Sequence, residues 1–278
     1  MKHGRKRTKR SKTPMAEKAD RHTLYQQAVQ NVEAEIDFVD ATFKEIRGRK
    51  ARRLREDFCG TANTSCEWVR RRPDNEAVGI DLDQPTLDWG MEHNVETLKD
   101  SRQKHVQLIN CDVRTPPATG RGVDIVLAMN FSYYIFVTRA ELRAYFESVR
   151  RSLGKDGVFF LDFYGGYEAF CEQDEERDID GKFTYVWDQA SYNPISGRVE
   201  CHIHFKFKDG SKLKKAFSYT WRVWTMPEIR ELLAEAGFKK TTVYCEGTDE
   251  DGEGDGEFEA TEICDADASF IAYIAAEL

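Results

Sequence analysis

Strand-like and helix-like segments alternate through residues 51–165, and this alternation restricts the fold more than any other feature of the sequence. Five short runs are typical of strands: 51–58, 77–82, 106–111, 123–130 and 157–164. Between the last two, a capping box of Thr138 and Glu141 predicts a helix that continues to Leu153. Strands that alternate with helices predict a mostly parallel sheet with helices on both faces. The first run is rich in arginine, which fits poorly with a buried central strand.

After residue 165 the pattern changes to consecutive strands. Three segments of alternating polarity follow one another: 183–192, 198–208 and 212–224. The second connection contains Asp-Gly, which is a hairpin signal. We therefore expect a half-buried antiparallel sheet with Val199, Ile203 and Phe205 on its apolar face, covered by the top of the parallel sheet.

The two ends of the chain complete the organisation. Helical periodicity runs from Leu24 to Ile46, and Thr225 with Glu228 predicts a late capped helix before two closing strands. We divide the chain into a basic disordered tail (1–14), a helical segment (15–50), a parallel core (51–165), an antiparallel β insertion (166–224), and a C-terminal helix with a closing hairpin (225–278) that contains an acidic loop (246–262).

Charge and cysteine content restrict the function classes. Residues 1–13 hold seven basic residues and no acid, and the remainder carries 34 basic and 49 acidic residues, a net charge of −15. Seven cysteines occur without a CxxC pair or a His-rich tract, so we expect reduced thiols, no metal site and a cytoplasmic location. The basic N-terminus is followed by no apolar segment, and no apolar run approaches the roughly 18 residues of a membrane span.

Polar residues follow three successive strands of the predicted parallel sheet. Glu56 and Asp57 precede a Cys-Gly-Thr-Ala turn, Asp81 ends the next strand, and Asp112 follows the third. The C-terminal edge of an open parallel sheet is where ligands bind, and Gly60 would allow close approach of the backbone to one. An acid about 20 residues after such a turn is placed to hold a ribose diol.

These residues resemble the class I S-adenosylmethionine-dependent methyltransferases over about residues 52–278. The resemblance implies a Rossmann-like α/β fold with a seven-stranded, mostly parallel sheet, helices on both faces, a reversed last strand and the antiparallel β insertion. It implies S-adenosyl-L-methionine as the cofactor, with these contact residues: Glu56, Phe58, Cys59, Gly60, Thr61, Asp81, Leu82, Asp112, Val113, Asn130 and Phe131. The first and last glycines of the family's turn are Phe58 and Ala62 in this chain.

Candidate catalytic groups lie near the expected methyl position. Methyl transfer is an in-line displacement, so the protein chiefly aligns the reactants and excludes water, and a hydroxyl acceptor also needs a base. Tyr133 and Tyr134 follow the fourth strand, and Arg222 lies on the opposite alternation from its aromatic neighbours, where it could meet an anionic acceptor. Weaker candidates for the base are Asp162, Tyr164, His202 and His204; the alternation around the two histidines favours a solvated sheet face.

The expected substrate is a small molecule with an amine or hydroxyl acceptor. The antiparallel stretch resembles the insertion that covers the active site in glycine-type and amino-sugar-type N-methyltransferases. Two alternatives stay open: an RNA or ribosomal-protein methyltransferase that uses the basic tail on phosphates, and a non-catalytic protein that binds the cofactor. The acidic body charge disfavours nucleic acid, which leaves it the weaker prediction.

Overall fold

The computed structural model describes residues 13–248 and 254–278, so the predicted basic tail falls almost wholly outside the described residues. Its α-helices in chain order are α1 (Met15–Lys18), α2 (Arg21–Ala28), α3 (Val32–Arg47), α4 (Asn63–Arg71), α5 (Gln84–Gly90), α6 (Asp100–Gln103), α7 (Arg139–Ser152) and α8 (Met226–Glu235). A π-helical turn, Met91–Val95, continues α5. Within the described residues, no helix is both long and apolar enough to cross a membrane.

The larger of two sheets has eight strands: β1 (Arg53–Asp57), β2 (Glu76–Asp81), β3 (Val106–Asn110), β4 (Val123–Ala128), β5 (Leu153–Gly165), β10 (Lys240–Thr248), β11 (Gly254–Thr261) and β12 (Phe270–Glu277). Their order is β11-β10-β12-β5-β4-β1-β2-β3. The first five strands pair in parallel, and β12 runs antiparallel to both of its neighbours. The expected Rossmann-like fold with a reversed last strand is confirmed, with β11 as an eighth strand at the edge.

Both faces of this sheet are covered by helices, as expected. On one face, α7 and α8 bury apolar side chains such as Leu142, Phe146 and Leu232; on the other, α3 and α4 bury Phe43 and Trp68. The capping boxes predicted for α7 and α8 are confirmed, because each threonine accepts a hydrogen bond from the backbone of the glutamate three residues later. The two helices therefore begin where the sequence predicts.

The smaller sheet is antiparallel and has the order β6-β7-β8-β9. Its strands are β6 (Gln173–Ile179), β7 (Phe183–Asn193), β8 (Arg198–Phe207) and β9 (Lys212–Arg222). The prediction missed β6. The expected cover of the apolar face is correct only in part: Val199 joins the core of the larger sheet, whereas Ile203 and Phe205 pack with Leu24 and Ala28 of α2.

Three local expectations differ from the structure. The helical segment from Leu24 to Ile46 is broken after Ala28, and α3 begins at Val32. The acidic loop 246–262 contains β11, which pairs with β10. The expectation that every cysteine is a free thiol is wrong for Cys245 and Cys264, which form a disulfide because the chain folds back beside β10 after β11.

Candidate active site

The turn between β1 and α4 holds a backbone shape that usually requires glycine. Phe58 and Ala62 both have φ of 57°, in the left-handed region, and these are the two positions where the resembling family has glycine. Ala62 N–H donates to the Cys59 carbonyl at 2.7 Å, which closes the turn. Phe58 is held in this conformation by packing against Phe136 and Tyr145. The turn therefore keeps its shape although its first and last glycines are replaced.

Glu56 lies directly before this turn and is almost completely buried. Its Oε2 accepts hydrogen bonds from the Ser65 backbone N–H at 2.8 Å and from Ser65 Oγ at 2.5 Å, at the N-terminal end of α4. Burial raises the pKa of Glu56 to about 8, although the Ser65 hydrogen bonds act in the opposite direction. The carboxyl group is therefore poised to ionise when a cation approaches it.

Asp81, at the end of β2, ties the second strand to the turn. Its Oδ2 accepts from the Gly60 N–H at 2.8 Å, and its Oδ1 accepts from the Asp83 N–H at 2.9 Å. An ionised carboxylate offers about four acceptor positions, so two remain for a ligand. The side chain is half-buried and borders the cavity described below.

Helix α5 lies so close to the turn that only glycine fits at its contact point. A Cβ built at Gly90 would lie 2.5 Å from the Thr61 carbonyl oxygen. Asn94 donates to this same oxygen at 2.8 Å. From the other side, Gln26 of α2 donates to Thr61 Oγ1 at 2.8 Å. Thr61 is thus fixed by two helices, and the sequence analysis missed both contacts because they join segments far apart in the chain.

A cavity of about 570 Å³ opens beside these residues. It lies between the β1 turn, the start of α5, the loop after β4, helix α2 and strand β9. The lining includes Glu56, Gly60, Thr61, Asp81, Asp83, Met129, Asn130 and Ser132 on the larger-sheet side, and Arg21, His22, Tyr25, Lys215, Phe217, Tyr219 and Trp221 on the opposite side. Seven of the predicted cofactor residues line this cavity: Glu56, Phe58, Cys59, Gly60, Thr61, Asp81 and Asn130.

The loop after β4 takes its shape from Asp162. Asn130 and Phe131 have φ of 58° and 54°, and their backbone N–H groups donate to the two carboxylate oxygens of Asp162 at 2.6 and 2.9 Å. Burial raises the pKa of Asp162 to about 8. The Asp162 carboxyl group accepts these two backbone hydrogen bonds, and in this way it holds the loop that places Asn130 at the cavity.

The structure does not bring the three catalytic candidates to the cavity. Tyr133 and Tyr134 are buried in the core, and their hydroxyls donate to the carbonyls of Asp162 and Tyr164. Arg222 pairs with Glu228 at 2.9 Å and stacks on Trp224. The alternation along β9 was read correctly, but the aromatic face, and not the face of Arg222, borders the cavity.

Four predicted cofactor residues also lie outside the lining. Leu82 is 66% exposed, between Asp81 and Asp83 at the rim. Asp112 is bound by the Arg114 guanidinium, which lowers its pKa, and Val113 is buried. Phe131 packs against Tyr134, Tyr164 and Trp221. Their contacts to a cofactor remain predictions.

The two histidines of β8 lie with Glu200 and Lys206 on the polar face of the small sheet, but both are less exposed than a fully solvated face would make them. His202 is 8% exposed, and its Nδ1 lies 2.9 Å from Ser218 Oγ. His204 is half-buried, with its Nε2 3.0 Å from Asp188 Oδ2. The β7 and β9 strands flank β8 on both sides and account for this burial. Within residues 13–248 and 254–278, no cluster of three metal-ligating side chains is found.

Helix α2 lies in the predicted helical segment 15–50, but its place at the site was not predicted. Asp20 caps it by accepting from the Thr23 N–H at 2.7 Å. His22 contacts the rings of Trp89 and Phe217, with centroids 5.1 and 5.9 Å away, and Tyr25 contacts Phe217 at 5.0 Å. A helix of eight residues with weak periodicity gave no sign of which sheet it covers.

Comparisons with known proteins agree with this geometry. A family model described as a methyltransferase domain matches residues 58–157. Among curated proteins, none matches this chain. The fold is similar to that of an S-adenosylmethionine-dependent methyltransferase from Clostridium acetobutylicum. The TM-score is 0.68 at 17% sequence identity, and the match covers 92% of this chain and 97% of that one.

Two further solved structures are methyltransferases of sugars. One is an S-adenosylmethionine-bound amino pentose methyltransferase from Micromonospora echinaspora, with a TM-score of 0.66, 18% identity, and coverage of 92% and 96%. The other is a sugar N-methyltransferase from Streptoalloteichus sp, with a TM-score of 0.59, 19% identity, and coverage of 98% of both chains. Residues 58–157 therefore match a methyltransferase domain, and the chain as a whole has the fold of the S-adenosylmethionine-dependent methyltransferases to which it is similar.

Proposed function

We propose that this protein transfers a methyl group from S-adenosyl-L-methionine to an amine or hydroxyl of a small molecule. The observation that carries the proposal is the cavity of about 570 Å³, which joins the β1 turn to the aromatic face of β9. Its size is within the range of ligand pockets, about 300–1,000 Å³. Structures of similar fold include sugar methyltransferases, which supports a small acceptor.

The residues of the β1 turn fit this cofactor. A Cβ at Gly60 would meet nothing closer than Thr86 Cγ2 at 3.9 Å, so open space lies above the turn. Glu56 can ionise beside an ammonium group, and Asp81 has free acceptor positions for ribose hydroxyls. When bound, the cofactor supplies an activated methyl group on a sulfonium. The protein aligns the acceptor with it and excludes water.

We assign proton acceptance to His22, which lines the cavity, whereas Tyr133, Tyr134 and Arg222 do not. Burial, followed by the nearby Arg21 charge, lowers the pKa of His22, so its imidazole is neutral at neutral pH. Its Nε2, which accepts only a long 3.4 Å hydrogen bond from Arg21 Nε, is the nitrogen that would take a proton from an acceptor amine. His22→Gln should lower kcat about 100-fold near pH 7 and less near pH 9, where the amine is already neutral. A uniform loss across this pH range would contradict the role.

The region 166–224, together with α2, is proposed as the cover of the acceptor side, and 51–165 as the cofactor-binding core. Tyr219→Ala and Trp221→Ala should raise the KM for the acceptor while cofactor affinity stays unchanged. Tyr167→Ala, at an exposed side chain outside the cavity, is the control. Equal loss of cofactor affinity in the two β9 variants would contradict this division.

The proposal is tested with labelled cofactor and a metabolite extract. We expect label to enter small molecules, and removal of residues 1–13 to leave the turnover intact. Label in RNA or ribosomal protein, lost when the tail is removed, would instead support the alternative based on the basic tail. Tight cofactor binding with no transfer to any pool would support a binding protein. We propose the cytoplasm as the location: five free cysteines in the described chain support it, whereas the Cys245–Cys264 disulfide is more typical of an oxidising compartment.

A further inference from the structure

We propose that the acceptor half of the cavity binds an oxyanion of the substrate, a phosphate or a carboxylate, through Arg21 and Lys215. This inference rests on the proposed function, because it names the chemistry of the acceptor at that same site. The cavity is polarised: Glu56, Asp81 and Asp83 lie on the larger-sheet side, and the two cations lie on the opposite side. The acidic side suits a cationic cofactor, and the basic side suits an anion.

The two terminal nitrogens of the Arg21 guanidinium have no hydrogen-bond partner among the described residues. Its Nε lies 3.4 Å from His22 Nε2, and its Cζ lies 5.3 Å from the centre of the Phe217 ring. Among the residues that the structure describes, no carboxylate forms a salt bridge with Arg21 or Lys215. The stack on Phe217 orients the guanidinium, and its two terminal nitrogens match the two oxygens of a carboxylate or phosphate.

Lys215 is placed at the cavity by a distortion of β9. Ile203 pairs with Phe217 and Phe205 pairs with Leu213, so His204 of β8 lies opposite three residues of β9. Lys215, in the middle of this bulge, has φ of 49°. Bulges turn side chains toward active sites, and a left-handed lysine persists only where its surroundings hold it.

The support for this strained residue is a pair of polar side chains. The Lys215 backbone N–H donates to His204 Nδ1 at 2.9 Å, and His204 Nε2 in turn lies 3.0 Å from Asp188 Oδ2. With Nδ1 as the acceptor, Nε2 carries the hydrogen and donates to the carboxylate. Asp188 and His204 are therefore positioning residues for Lys215.

Lys215 also borders a second groove of about 490 Å³ on the outer face of the small sheet. Its neighbour Lys214 borders this outer groove but not the cavity. Lys214→Gln is thus a matched control: it removes the same charge from the adjacent position. A variant of Lys215 that behaves like Lys214→Gln would assign Lys215 to the outer face.

The test uses inorganic phosphate and acetate as probes on the full chain saturated with S-adenosylhomocysteine, by calorimetry at constant ionic strength. We expect at least one probe to bind saturably, and its Kd to rise about tenfold or more in Arg21→Gln and Lys215→Gln, as the loss of a charge-assisted hydrogen bond predicts. Lys214→Gln should leave it unchanged. The probe that binds identifies the oxyanion. Circular dichroism confirms that the variants are folded.

Three results would overturn the proposal. The first is that neither probe binds. The second is that Lys214→Gln weakens probe binding as much as Lys215→Gln does. The third is that the Arg21 and Lys215 variants weaken the binding of S-adenosylhomocysteine by the same factor as that of the probe, which would assign the cations to the carboxylate of the cofactor. Failure of the wild-type protein to bind S-adenosylhomocysteine would contradict the proposed function separately. The same probe titrations without that ligand still test the two cations.

Discussion

Arg55 and Asp57 show how an arginine-rich segment can serve as a central strand. Both side chains are completely buried, Arg55 Nε lies 2.8 Å from Asp57 Oδ1, and Arg55 Nη2 donates to Asp57 Oδ2 at 2.9 Å. The Tyr145 hydroxyl also donates to Asp57 Oδ2, and Arg55 Nη1 donates to the Gly120 carbonyl. The Arg55 charge is therefore neutralised by Asp57 inside the sheet. For this reason β1 can be a buried central strand although its sequence departs from the usual apolar pattern.

Removing one partner of this pair should be costly. Asp57→Ala would leave the Arg55 guanidinium buried and unpaired, and the free energy of unfolding should fall by about 3–5 kcal/mol. Glu235→Ala, which breaks a half-exposed pair with Arg139, should change it by about 0.2–1 kcal/mol. Urea unfolding of both variants measures the difference. Equal effects would show that the buried pair does not hold β1 in place.

The raised pKa of Glu56 predicts that cofactor affinity depends on pH. Its pKa of about 8 means that the carboxyl is mostly protonated at pH 7 in the unliganded protein, and an ammonium group must draw that proton off. Affinity should therefore rise as pH increases from 6 to 8, by up to about tenfold per unit, with release of a proton. The same raised pKa also affects stability in the absence of ligand. As the pH rises from about 4.5 to about 8, the Glu56 carboxyl ionises in the unfolded chain before it ionises in the folded protein, so the free energy of unfolding falls.

Calorimetry in two buffers with different ionisation enthalpies measures the released proton. Glu56→Gln should bind more weakly at pH 8 and lose most of the pH dependence. Asp162 also has a raised pKa but does not border the cavity, so the glutamine variant separates the two groups. An unchanged pH profile in Glu56→Gln would exclude Glu56 as the partner of the cofactor's ammonium.

At the scale of elements, alternation and capping predicted the parallel core, α7 and α8 closely, because those signals are local. The missed strands β6 and β11 lie at sheet edges and carry four acids in seven residues and three in eight, which protect an edge from further pairing but hide the strand pattern. The cover by α2 and the aromatic face of β9 depend on contacts between distant segments. The sequence therefore predicted most residues on the larger-sheet side of the cavity and the antiparallel sheet opposite them, but it did not predict α2 or which side chains of β9 line the cavity.

The contact between α5 and the β1 turn gives a prediction at this scale. Gly90→Ala would place a Cβ against the Thr61 carbonyl, so the helix and turn must separate. We expect about 1–3 kcal/mol of destabilisation and at least tenfold weaker cofactor binding. Gly48→Ala is the control. Gly48 has φ of 66° and no neighbour within 4 Å, so this variant adds backbone strain away from the site and should leave cofactor affinity unchanged. Wild-type affinity in Gly90→Ala would show that this close packing is unnecessary.

At the scale of the molecule, the parallel sheet supplies acids and a tight turn, while α2 and the antiparallel sheet close the cavity from above. The body charge of −15 is interrupted at this cavity by Arg21 and Lys215. A covered, polarised cavity favours a small acceptor over a folded nucleic acid, which would have to approach an acidic surface. The central claim is that the cofactor binds at the β1 turn and Asp81.

Calorimetric titration of S-adenosylmethionine into the wild-type protein and Asp81→Ala tests this claim most directly. Asp81 holds the Gly60 N–H and has two acceptor positions left, so its loss should weaken binding by about 2–4 kcal/mol. Asp88→Ala, at an exposed acid of α5 outside the cavity, should bind like the wild type. Equal affinities for all three proteins, or no binding to the wild type, would contradict the account.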